Sequence, residues 1–153
     1  MTDNRELLQN DYLGFLARLI VGGIFIYASL DKLFDPAQFA RIIYNYHLLP
    51  GSLINLSAII MPWVELICGI ALVAGIYRGG ASLVLNALII SFAVAITINL
   101  FRGVDLECGC FTVNSKAKTN ALSLLLRDLG LLVVGLYAYF NKSPKFSLMK
   151  PKY

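Results

Sequence analysis

Four long apolar runs, each holding at most two charged residues, alternate with short polar segments along the chain. The first, Tyr12 to Leu30, is apolar apart from Arg18, and the second, about Leu53 to Tyr77, carries Pro62, Glu65 and Cys68. The third runs from Ser82 to Phe101, and the fourth, Ala121 to Phe140, contains Arg127 and Asp128. Each is close to the roughly 20 residues that a helix needs to cross a bilayer. The break "YRGGA", Tyr77 to Ala81, leaves room only for a reversal, so spans two and three are expected to form an antiparallel hairpin. Thr119 or Asn120 is placed to cap span four. Between spans one and two, "PAQFARIIYNYHLLP" sets Phe39, Ile42, Ile43 and Tyr46 at helical spacing behind Pro36, which predicts an amphipathic helix lying on the membrane surface.

Composition strengthens this picture. Of the 153 residues 58% are hydrophobic and 14% charged, with a mean hydropathy of +0.72; soluble domains hold about 45–50% apolar and about 25% charged residues. The expected fold class is therefore all-α: an integral membrane four-helix bundle forming one domain over residues 1–153, with the amphipathic surface helix in its first outer loop. That length leaves no room for a soluble catalytic domain beside four spans. The net charge of +4 does not point to nucleic acid, because Lys142, Lys145, Lys150 and Lys152 cluster in a tail beside a hydrophobic segment, where they suit an anionic membrane face.

Lysine and arginine also suggest an orientation. With both termini in the cytoplasm, the inner side holds six basic residues, Arg5, Arg78 and the four tail lysines. The outer side then holds five: Lys32, Arg41, Arg102, Lys116 and Lys118. Short flanks weigh most in the positive-inside rule, so this orientation is preferred. It places the surface helix and the loop before span four in the periplasm of a bacterium, around its inner membrane.

That loop contains "DLECGCFT", Asp105 to Thr112, with two of the three cysteines one residue apart. Exposed thiols in an oxidising compartment end as disulfides or take part in exchange. A bridge between Cys108 and Cys110 closes a small bent ring, which Gly109 tolerates because it has no side chain. Such strain makes the bond reducible, which suits a redox centre better than a structural staple. Lys116 and Lys118 favour thiolate while Asp105 and Glu107 oppose it. Two other readings stay open: thiols with no joint role, and a soft-metal site for Cu or Zn that would draw on His47, the single histidine.

Glu65 lies well inside span two, where a carboxylate must be paired, neutralised or turned to a polar interior. Counting helix rise from the two membrane faces puts Arg18 and Glu65 at similar depth, so an Arg18–Glu65 pair joining spans one and two is expected. The functional alternative makes Glu65 a proton carrier or a hydrogen-bonding group for a quinone head. Arg127 and Asp128 are neighbours in span four and cannot pair across one helix face; Asp31 and Lys32 are their expected partners, with a cofactor-stabilising role as the alternative to anchoring. Cys68 shares the face of Glu65 and reads as core packing. Gly22, Gly23, Gly69 and Gly75 read as points of close helix approach.

Taken together, "RLIVGGIFIYASLDKLFDPAQF", "YHLLP", "MPWVELICGI", "RGVDLECGCF" and "RDLGLL" resemble the DoxX-like membrane proteins, in the branch typified by MauE, over nearly the whole length. That pattern continues with glycine after the phenylalanine of "CGCF", where this chain has Thr112. The resemblance implies a four-helix membrane protein tied to periplasmic thiol chemistry beside a thioredoxin-like partner. By position it makes Cys108 and Cys110 the redox pair, and Arg18, Lys32 and Glu65 polar positions of the bundle. The resulting expectation is a membrane thiol–disulfide oxidoreductase, with quinone as the candidate electron acceptor. Its rival is a non-catalytic subunit or assembly factor of a larger membrane complex.

Overall fold

The computed structural model describes residues 11–103 and 121–140. Five helices account for nearly all of them: α1 (Asp11–Phe34), α2 (Pro36–Asn45), α3 (Gly51–Ala74), α4 (Arg78–Phe101) and α5 (Ala121–Phe140). All except α2 are long and apolar enough to cross a membrane. The four spans form a ring in which α1 lies between α3 and α5, and α4 closes the circle between the same two helices.

Each span is sorted into two stripes. On α3 the inward stripe is Ile54, Ala58, Pro62, Glu65, Gly69 and Leu72, while Leu56, Ile59, Trp63, Ile67 and Ile70 are exposed. Both follow the three-to-four-residue helical period. The outward side chains are large and oily, while the inward stripe holds the helix's small Ala58 and Gly69 and its charged Glu65 between Ile54 and Leu72. Gly22 and Gly69 bring α1 and α3 together: a Cβ on Gly22 would stand 2.5 Å from Val73 Cγ2 and 2.9 Å from the Gly69 carbonyl. Gly23 faces open space and does not serve the close approach expected of it, while Gly75 ends a helix. Cys68 packs against the core. Between α4 and α5 the Ser82 hydroxyl donates to the Gly135 carbonyl at 3.1 Å, and within α4 Asn86 Nδ2 donates to the Ser82 carbonyl at 2.8 Å.

Three boundaries differ from expectation. Helix α1 runs on to Phe34, carrying Asp31 and Lys32 inside it rather than after it. Helix α3 stops at Ala74, because Gly75 takes a left-handed conformation (φ 74°) in which its N–H reaches Leu72 O and that of Ile76 reaches Ala71 O. This is a Schellman ending, and it moves the reversal forward to residues 75–77. Helix α4 therefore starts at Arg78 and absorbs Gly79 and Gly80. Substituting Gly75 by alanine is expected to cost about 1 kcal/mol, since a β-carbon is disfavoured at positive φ; thermal unfolding of the reconstituted variant would measure it.

Helix α2 forms as predicted, started by Pro36 and by Asp35, whose carboxylate accepts from the Gln38 N–H at 3.1 Å. Its apolar face, however, is turned into the protein rather than laid on lipid. Phe39, Ile42, Ile43 and Tyr46 join Ile54, Ala58, Ile96 and Leu124 in one buried cluster. Helix α2 thus caps the end of the bundle at which α1 and α4 finish and α3 and α5 begin.

Candidate functional site

Beneath this cap lies a polar group drawn from three helices. Along α1 the inward face is Val21, Phe25, Ala28 and Lys32, the spacing of one helical stripe. The last of these is a lysine with 0% exposure. Its ammonium donates to both carboxylate oxygens of Glu65, at 2.8 and 2.7 Å, and Glu65 is itself 0% exposed. Two rings complete the enclosure, with the Lys32 nitrogen 5.0 Å from the centre of Phe39 and 5.2 Å from that of Phe92. A cation facing aromatic rings away from water gains on the order of 1–2 kcal/mol per good contact. The cap helix therefore takes part in the site, because α2 supplies Phe39.

Asp128 arrives from α5 on the stripe Leu124, Asp128, Leu131, and is 3% exposed. It lies within electrostatic reach of Arg127 and, less strongly, of Lys32. Glu65 and Asp128 line the same small cavity together with Ile24, Phe25, Ile89 and Phe92. Lys32 is thus a partner of this polar layer as expected for Asp128, and in addition the direct ion partner of Glu65.

The expected Arg18–Glu65 pair is not formed. Helix α1 rises about 1.5 Å per residue, so Arg18 sits roughly 21 Å along the axis from Lys32, beyond side-chain reach of Glu65. Arg18 is instead buried at the opposite end of the bundle, under the influence of Arg78 and with its guanidinium 5.8 Å from the Phe15 ring centre. The depth estimate failed because it began span two at the membrane face. The first two turns of α3 actually rise beside α2, beyond the polar layer, and Gly22 meets α3 at Gly69 and Val73. Arg127 is exposed while its neighbour Asp128 is buried, so the two do not act on one face. Cys108 and Cys110 lie outside the described residues.

Among the described residues, the expected cofactor set of Glu65, Arg127 and Asp128 encloses no space of quinone size. Two of the three share a cavity, but its volume is about 10 Å³, at the lower limit for a single water. Arg127 faces away from it. The missed pairing of Lys32 with Glu65 had a legible signal: continuing the period from Val21 through Phe25 and Ala28 brings Lys32 onto the inward stripe once the helix is allowed to run past Leu30.

Known proteins carry this architecture's sequence. The family model described as methylamine utilisation protein MauE matches residues 10–141. The methylamine utilization protein MauE of Methylophilus methylotrophus is 34% identical over 134 residues, covering 86% of this chain and 70% of that protein. Those of Paracoccus denitrificans and Methylorubrum extorquens are 32% and 33% identical, over 78% and 68% of this chain. The chain spans only 64% and 56% of those two relatives' own lengths. No solved structure matches the chain significantly. With four membrane-crossing helices and a family match that runs through every one of them, this chain belongs to the MauE family.

Proposed function

We propose that the chain is a bacterial inner-membrane thiol–disulfide redox protein of methylamine utilisation, exchanging electrons through Cys108 and Cys110 with a periplasmic thioredoxin-like partner. The supporting observation is positional. The two helix ends flanking residues 104–120, those of α4 and α5, both lie at the capped end with the Lys32–Glu65 pair, as the clustering of Ile96 and Leu124 with α2 makes plain. The basic-residue count favours that end as the periplasmic one. Buried Lys32 leaves the outer count, and Arg18 and Arg127, both inside spans, stay uncounted, so the margin is six against four. Both termini are then cytoplasmic. The wider kinship with DoxX-like proteins belongs to the same proposal.

The exchange follows ordinary thiol chemistry. One loop thiolate, with Cys110 preferred for its nearer lysines, attacks a sulfur of the partner's disulfide and releases one partner thiolate. The second loop thiolate then attacks the mixed disulfide, closing the Cys108–Cys110 bond and releasing the other partner thiolate. Two electrons pass to the partner; the reverse sequence returns them. No step is assigned to a quinone.

Single Cys108→Ser and Cys110→Ser variants expressed in a methylamine-grown host are expected to accumulate a mixed disulfide, resolved by reduction on a non-reducing gel. Growth on methylamine is expected to fall at least tenfold in the double variant. Undiminished growth of that variant would assign the chain to the non-catalytic subunits or assembly factors instead. Stoichiometric Cu or Zn retained by the wild type and lost from the double variant would assign it to soft-metal binding.

A further inference from the structure

The polar layer under α2 holds more acid than base. Among the described residues three ionisable side chains are buried there, one ammonium and two carboxyl groups: Lys32, Glu65 and Asp128. Lys32 spends its two hydrogen bonds on Glu65. Among the described residues Asp128 Oδ2 has no hydrogen-bond partner, although it is buried and its residue lines the cavity shared with Glu65. The remaining groups facing this cavity are apolar: Ile24, Phe25 and Ala28 from α1, Ile89 and Phe92 from α4, and Leu131 from α5. Helix α2 adds the Phe39 ring, and the next cation, Arg127, acts on Asp128 through its charge from the exposed face of α5.

Counting the buried formal charges of the described residues, full ionisation would leave one negative charge in an apolar interior, offset only by Arg127 on the exposed face of α5. Burying an unpaired carboxylate is expensive enough that such a group takes a proton or a counter-cation instead. A cavity of about 10 Å³ admits at most one water beside it.

We infer that the layer is a proton-binding site, with one exchangeable proton carried on Asp128 next to a Lys32–Glu65 pair that stays ionised. The site takes up and gives up that proton at the capped end of the bundle, through a space of single-water size. The inference is independent of the thiol chemistry, and its readout does not involve the cysteines.

Infrared spectroscopy of the full chain in lipid nanodiscs at neutral pH tests it. The wild type is expected to show the carbonyl stretch of one protonated carboxyl group, shifting in D2O. Asp128→Asn, which leaves the Lys32–Glu65 pair intact, should abolish that band. Glu65→Gln should also abolish it, because Asp128 then becomes the counter-ion of Lys32. The double variant Lys32→Met/Glu65→Gln, with no charge left to compensate, should restore it, and it carries the test if Glu65→Gln alone does not fold. A wild type without the band would overturn the inference in favour of a fully ionised layer. A wild type without the band but stabilised by sodium would overturn it in favour of a monovalent-cation site. A band that survives in Asp128→Asn would place the proton on another group and would equally overturn it.

Discussion

Replacing Lys32 by methionine lowers the stability of the reconstituted protein by about 3–5 kcal/mol, the cost of stripping one partner from a buried ion pair. The loss falls on Glu65, which keeps 0% exposure and both oxygens but has no other cation in reach among the described residues. Phe39 and Phe92 lose the cation between them, so the contact of α2 with α1 and α4 weakens as well. The double variant Lys32→Met/Glu65→Leu should recover most of the stability, because an apolar pair of similar volume requires no desolvation of charge. Reversible unfolding in a denaturing detergent measures both. A single variant within about 1 kcal/mol of wild type would mean that the ion pair is not what joins α1 to α3.

The second large effect concerns how closely those two helices approach. Gly22→Leu is expected to destabilise by about 3 kcal/mol, at the upper end of the usual cost of overpacking. Even a single β-carbon at Gly22 meets Val73 Cγ2 and, less yieldingly, the backbone carbonyl of Gly69. The side chain could rotate away, but the carbonyl belongs to a helix that would have to move whole. Gly23→Ala is the matched control: open space surrounds Gly23, so only the gain in helix propensity, about 0.5–1 kcal/mol, should remain. Parallel melting curves for the two variants, displaced in opposite directions, would confirm the contact. Equal shifts would show that α1 and α3 do not meet at this point.

The fold class was legible because hydropathy and helical period are local properties. Four apolar runs of the right length have few alternatives in a bilayer, where every backbone polar group must be satisfied within its own helix. The amphipathic character of α2 was equally plain from Phe39, Ile42, Ile43 and Tyr46. Its burial was not, since an apolar stripe suits a lipid surface and a protein surface alike. The site was half legible: Glu65 and Asp128 stand out as charges inside spans, and Lys32 was already a candidate partner of the layer. Which cation meets Glu65 depended on the relative depth of α1 and α3, and on α1 continuing to Phe34.

Residue order alone therefore determined that this chain builds membrane-crossing helices, where they reverse within a few residues, and which charges had to find partners inside. Only the tertiary structure decided the partners. The glycine contact of α1 with α3 sets how far one helix slides along the other, and the α2 cap draws the start of α3 beyond the polar layer. A shift of one helical turn moves a side chain by about 5.4 Å, more than a hydrogen bond can span. That is why Lys32 rather than Arg18 holds Glu65.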